Sequence, residues 1–164
     1  MRWRDWFRRE PPAARIAPLE QRHTPRLAAI HASAFARPWS TQDFEQFLAE
    51  RQIRADGLFL GRSSQPAGFV LARRAGDEAE ILSVAIAAEA RGRGLARRLL
   101  GTHLQALAHA GVRRVYLEVE EDNRPALAVY RRLGFTAVGR REGYYLKPDG
   151  TRACALTMSR PLQD

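Results

Sequence analysis

Three groups of residues in this chain have the types and spacing to do chemistry. The first is Arg91-Gly92-Arg93-Gly94-Leu95-Ala96-Arg97, where two glycines alternate with guanidinium groups. Backbone without Cβ atoms, beside positive charge, lets a phosphate approach N–H donors closely. The second is the acidic run Glu118, Glu120, Glu121 and Asp122, which stands out in a chain of net charge +9. A carboxylate there could take a proton from an amine, and the run as a whole attracts cations. The third is Tyr130, whose phenol, with an ordinary pKa of about 10, can give a proton to a departing group. Each group also has a plainer reading: a turn in an arginine-rich protein, a solvated helix cap, and a core aromatic.

The elements that must position these residues are legible around the glycines. Ile81, Leu82, Val84 and Ile86 are apolar and partly β-branched, which suits a strand covered on both faces. Leu95, Leu99, Leu100, Leu104 and Leu107 then recur at helical spacing, and Gly111 marks the stop. The glycine loop therefore opens onto a helix N-terminus, whose unpaired N–H groups and positive dipole end favour an anion. Two other phosphate motifs are excluded. No Lys-Ser or Lys-Thr follows the glycines as a P-loop requires, and Arg97 stands where a dinucleotide fingerprint needs its third glycine.

Downstream, Val115, Leu117 and Val119 alternate with Tyr116, Glu118 and Glu120, a strand with one apolar face. Asn123 caps the helix of residues 124–133, with Pro125 at its start and Gly134 at its end. Upstream, residues 15–19 read as a strand, Thr24-Pro25 as a helix start with threonine as the cap, and Ser40-x-x-Asp43 as a second start with a capping box. Residues 58–61 and 67–74 read as a hairpin. Residues 135–140 and 153–158 read as further strands, with Gly143-Tyr144-Tyr145 in a loop between them. The result is an α/β fold with a mixed central sheet. Residues 1–14, with Trp3, Trp6 and Phe7 among arginines, read as a basic aromatic arm that packs on the domain of residues 15–164.

The totals bound the rest. A chain of 164 residues is one domain with room for a core. The excess of arginine suits an anionic partner such as a coenzyme phosphate, RNA or a ribosomal surface; no DNA partner is expected. One cysteine, Cys154, excludes an internal disulfide, and no apolar run reaches the roughly 18 residues of a membrane span, so a cytoplasmic protein is expected. His23, His31, His103 and His109 show no metal-ligand spacing, and no metal is expected.

The pattern R-x-x-G-x-A after a strand resembles the acetyl-CoA loop of the GCN5-related N-acetyltransferase (GNAT) superfamily. Pro38-Trp39-Ser40, Leu117-Glu118-Val119, Asn123, the segment Ala128 to Phe135 and Gly143-Tyr144-Tyr145 stand in the order found in its ribosomal-protein alanine N-acetyltransferase branch, over about residues 15–160. The resemblance implies helices on both sheet faces and a splayed central pair of parallel strands, ending near Ile86 and Val119. Glu118 is expected on the same side of the sheet as Gly94. Val84, Ala85 and Ile86 would offer backbone groups to the pantetheine arm of acetyl-CoA, which would dock like an added strand. The stretch Arg91, Gly92, Arg93, Gly94, Leu95, Ala96, Arg97 would hold the pyrophosphate, and Asn123 would bond the coenzyme. Glu118 would be the general base and Tyr130 the general acid, with an N–H freed by a bulge at residues 83–85 as the oxyanion donor. Ala96 replaces the commoner third glycine, and Cys154 stands where relatives often carry an acid.

The implied activity is acetyl transfer to a protein N-terminal α-amine, possessed of a pKa of about 8 and so partly neutral at pH 7. Two rivals remain on the sequence: transfer to a small amine or lysine side chain, and a basic RNA- or ribosome-binding module with a vestigial coenzyme site.

Overall fold

The computed structural model describes residues 13–162. Seven strands form one sheet: β1 (Ala14–Pro18), β2 (Ile53–Leu60), β3 (Gly68–Ala75), β4 (Glu78–Ile86), β5 (Arg114–Glu120), β6 (Thr136–Leu146) and β7 (Arg152–Pro161). Their order is β1-β2-β3-β4-β5-β7-β6. Neighbours run antiparallel except β4 and β5, which are parallel and need a crossover. Helix α3 (Leu95–His109) is that crossover.

Two apolar layers sandwich the sheet. On one face, Leu27 and Ile30 of α1 (Thr24–Ala34) and Phe44 of α2 (Thr41–Ala49) meet Phe69, Leu71 and Ala85. On the other, Leu99, Leu100, Leu104 and Leu107 of α3 and Leu127 and Tyr130 of α4 (Arg124–Arg132) meet Ile81, Ile86, Val115, Leu117 and Val119. Fully burying each such side chain stabilises the fold by roughly 1.5–3 kcal/mol, so the leucine stripe of α3 fixes how that helix sits. The helix that carries the glycine loop is thereby clamped at the C-terminal end of β4.

A buried polar contact adds to the clamp. His103 of α3 places Nδ1 2.6 Å from Oδ2 of Asp56 on β2, and Arg54 donates to both oxygens of that carboxylate at 2.9 and 3.1 Å. Burial pushes the Asp56 carboxyl up, but the bonds from His103 and Arg54 outweigh it and hold it below its ordinary range. Among the described residues the ring's Nε2 finds no hydrogen-bond partner. His103 is thus a core histidine that ties α3 to the sheet.

Several sequence expectations change in detail. Ser40 does cap α2, accepting from the Asp43 N–H at 3.1 Å while Asp43 accepts from the Ser40 N–H at 2.7 Å. Thr24, by contrast, lies inside α1 and donates its hydroxyl to the Gln21 carbonyl, because a short 3-10 turn, Gln21–His23, precedes the helix. β2 begins at Ile53, earlier than the hairpin pattern suggests. Gly143-Tyr144-Tyr145 is not a loop but part of β6, where the register to β7 slips. Residues 1–12 of the basic arm lie outside the described residues, and Ala14 already belongs to β1. No described helix is long and apolar enough to cross a membrane.

Candidate active site

The parallel ladder is short. β4 and β5 pair from Glu78↔Arg114 to Ile81↔Leu117 and then part. The cause lies on the other edge of β4. Leu71 pairs with Ser83 and Ala72 with Ile81, so Leu82 is an extra residue, a bulge that bends and twists the strand. The expected bulge at residues 83–85 therefore sits one residue earlier. It also resets the alternation: Ile81 and Ile86, an odd and an even position, face the same core layer. Beyond the bulge, Val84, Ala85 and Ile86 pair with β3 on one side only. Among the described residues no strand pairs with their β5-facing edge, which leaves room for an extended chain to add to it.

At the end of β4 a 3-10 turn, Ala88–Ala90, leads into the glycines. Gly92 has φ +75° and Gly94 φ +71°, a left-handed conformation that favours glycine. Gly94 is the residue from which α3 starts, and the first turn of the helix carries no acid. A Cβ built on either glycine would meet nothing within 4 Å. The first-turn N–H groups of Leu95, Ala96 and Arg97 have no partner within the helix and stand at its positive end, which suits a pyrophosphate. Leu95 buries its side chain and Ala96 half-buries its own, so these two offer backbone only, while Arg97 is exposed. Arg91 is not the mobile charge expected: its Nε donates to the Ile86 carbonyl at 2.9 Å and so braces the loop. Arg93 reaches the Glu89 carbonyl at 3.4 Å. A groove of about 380 Å³ continues from Gly94 along Arg97, Arg98, Gly101 and Thr102 towards Leu133.

Glu118 points the other way. Val115, Leu117 and Val119 enter the α3–α4 layer, so Glu118 stands on the sheet face that carries α1 and α2. The expectation that it shares a side with Gly94 is wrong. A parallel crossover puts α3 on one face, and the alternation of β5 puts Glu118 on the opposite one. The acidic run is not free charge either. Glu121 takes Arg140 at 3.0 Å, Asp122 takes Lys147 at 2.7 Å and Glu120 takes Lys147 at 3.4 Å. The hydrogen bond from Arg140 holds the Glu121 carboxyl low, and that from Lys147 does the same for Asp122. Glu118 is more loosely held, 3.6 Å from Nη1 of Arg141, and its side chain is 23% exposed.

Tyr130 arrives from the other layer. It is buried on α4, edge-on to Phe135 at 6.0 Å, and burial, helped by Tyr145, pushes its phenol up to about 12. It therefore stays protonated through neutral and alkaline pH. Tyr145, part of the Gly143-Tyr144-Tyr145 motif, interacts electrostatically with both Tyr130 and Glu118. Burial raises its phenol first, and the charges of Glu118, Tyr144 and Glu120 raise it further. Asn123 caps α4, its Oδ1 accepting from the Ala126 N–H at 3.2 Å, which leaves its amide NH₂ for a ligand. Among the described residues no group of three His, Cys, Asp or Glu side chains is placed to hold a metal.

A strand, a left-handed glycine turn and a helix with no acid in its first turn, beside a parallel strand pair that parts, suit the binding of a phosphorylated carrier. Residues 24–135 match the Acetyltransferase (GNAT) family, and the chain belongs to it. It is an N-acetyltransferase with acetyl-CoA as its cosubstrate, and the glycine cradle and open strand edge fit that molecule. The chain is 33% identical over 144 residues to the [ribosomal protein bS18]-alanine N-acetyltransferase of Haemophilus influenzae, covering 88% of this chain and 96% of that one. It is 32% identical over 147 residues to the enzyme of the same name from Escherichia coli K12, covering 90% and 97%. The crystal structure of the ribosomal-protein-S18-alanine N-acetyltransferase from Escherichia coli superimposes with a TM-score of 0.85 at 30% identity, covering 93% of this chain and 96% of that chain. Arabidopsis thaliana NAA60, solved with a bisubstrate analogue, shares the fold at a TM-score of 0.80 and 24% identity, covering 91% and 98%.

Proposed function

We propose that this chain acetylates the α-amino group of a polypeptide N-terminus, a ribosomal protein with N-terminal alanine being the acceptor its relatives point to, and that it does so in the cytoplasm. The observations that support the catalytic reading are that β4 and β5 part just beyond Ile81 and Leu117, next to Glu118, and that Tyr130 is held protonated in the layer on the other face. Val84 to Ile86 and the loop from Arg91 to Arg97 hold acetyl-CoA, with Asn123 as a further contact. The acceptor enters on the face of α1 and α2. Glu118 removes the proton of the α-ammonium, directly or through water, and frees the nitrogen lone pair to attack the acetyl carbonyl. The N–H groups around the Leu82 bulge would stabilise the oxygen that gains charge. Tyr130, kept protonated by its burial, gives its proton to the departing thiolate. Direct transfer leaves no task for Cys154 as a nucleophile.

The test is Glu118→Gln, read by mass spectrometry on a peptide with N-terminal alanine, a lysine-bearing peptide blocked at its N-terminus, and a diamine. Glu118→Gln should keep acetyl-CoA binding and lose roughly 10²- to 10⁴-fold in turnover at pH 7. The loss should shrink at high pH, where the amine is neutral without help. A normal rate at pH 7 removes Glu118 as the base. Faster transfer to the lysine or diamine than to the α-amine removes the N-terminal reading.

A further inference from the structure

The cations of β6, and Lys147 just past its end, do not hold the acidic run equally. Arg140 is bidentate on Glu121, at 3.2 and 3.0 Å, and Lys147 is hydrogen-bonded to Asp122 at 2.7 Å. Arg141, between these two anchors, reaches Glu118 at only 3.6 Å, beyond hydrogen-bond range, and its side chain is 60% exposed. The strand is irregular at this point. Arg141 pairs with Ala155 and the next partners are Tyr145 and Ala153, so residues 142–144 oppose Cys154 alone. Gly143, with φ +60°, makes the bulge possible. The Arg141 guanidinium lies 5.2 Å over the Tyr144 ring, a contact that does not depend on Glu118. Of the three cations, this one can change partner without releasing the strand.

It has to change partner. This step rests on the reading of Glu118 as the base. An α-amine of pKa about 8 is roughly nine-tenths protonated at pH 7, so the acceptor brings a second cation to the same carboxylate. Two positive charges at one half-buried oxygen pair repel, and the weaker contact gives way. A peptide also brings a carbonyl oxygen one carbon removed from its α-amine, and a guanidinium is a ready donor to it. We propose that Arg141 is a specificity-determining residue: it holds the ammonium's place at Glu118 in the free enzyme and transfers to the first carbonyl of a peptide acceptor. A simple amine displaces Arg141 and gives it nothing in return. The enzyme thereby distinguishes a peptide terminus from a free amine by what stands beside the nitrogen.

The experiment compares kcat/KM for an alanine-initiated peptide with that for 2-aminopropan-1-ol, which keeps the amine and methyl group but has no carbonyl. Arg141→Gln should narrow the ratio between them about 5- to 10-fold, mostly through KM, as expected for a partly exposed ion pair and one hydrogen bond. Arg141→Lys, which keeps the charge and donors, should retain most of the ratio. An unchanged ratio in Arg141→Gln, or a ratio in Arg141→Lys as narrow as in Arg141→Gln, overturns the proposal. In the Glu118→Gln background at high pH the Arg141 effect should shrink to the carbonyl contact alone, and an undiminished effect overturns the exchange. A Glu118→Gln enzyme at full speed at pH 7 would instead remove the parent reading, so the two failures are told apart.

Discussion

Gly94→Val tests the phosphate cradle with the fewest side effects. A Cβ at Gly94 meets no atom within 4 Å, so the substitution causes no packing clash. Its cost comes from the backbone, which holds φ +71° and ψ 13°. An L-residue in that left-handed well costs roughly 1–2 kcal/mol, and a β-branched one is at the upper end. In a domain of this size that lowers Tm by about 2–8 °C, a measurable but survivable loss. The larger effect is on binding. A valine side chain at the start of α3 and a shifted backbone would disturb phosphate approach to the first-turn N–H groups, and one lost hydrogen bond to a charged phosphate is worth about 1.5–3 kcal/mol. Titration calorimetry should therefore show acetyl-CoA binding about 10- to 100-fold weaker. Gly94→Asn is the control, since asparagine tolerates the left-handed well: Tm should largely recover while affinity stays reduced. If Gly94→Val binds acetyl-CoA as tightly as the parent while its Tm falls as expected, the loop is only a turn and the phosphate lies elsewhere.

Tyr130→Phe should slow turnover without weakening acetyl-CoA binding, and raising the pH should not rescue it, because the lost group is a donor; recovery at high pH in a pH–rate profile would contradict that role. His31 should give the fold an acid-sensitive component. It stacks on Phe35 and Trp39, accepts the Trp39 N–H at 3.0 Å, and burial lowers its pKa from 6.5 to about 4. Its neutral form is the one that fits, so this stabilisation is whole above pH 6.5 and drains as pH falls towards 4, up to ~3 kcal/mol at about 1.4 per pH unit. Denaturant unfolding of His31→Asn, which keeps an acceptor, should lose that slope over the same range; an equal slope in both proteins would rule His31 out.

What the sequence disclosed and what it hid follow from how far each feature reaches along the chain. The leucine stripe of α3, the alternation of β5, the Ser40 cap and the glycine turn before α3 are set by neighbours within a few residues, and each is legible. Thr24 failed as a cap although its signal was local, because the turn before it had already begun winding. The side on which Glu118 stands depends on where the crossover deposits α3 relative to the β5 alternation, and composition carries no record of that. The bulge at Leu82 looked like any apolar residue in a strand; only its pairing with β3 reveals that it is extra.

The residues of β6 were the hardest to read, and the reason bears on function. Gly143 reads as a loop signal, which puts Tyr144 and Tyr145 in a loop and leaves Arg141 outside the strand of residues 135–140. In the fold the strand runs through them with a slipped register, and the slip turns Arg141 and Tyr145 towards Glu118. A regular strand would keep Arg141 and Tyr145 on one face but four residues apart. The slip sets them opposite Ala155 and Ala153, only two residues apart on β7, and so draws both towards one carboxylate. The same irregularity that obscured these residues in the sequence is what lets an arginine stand at Glu118 while remaining free to leave it.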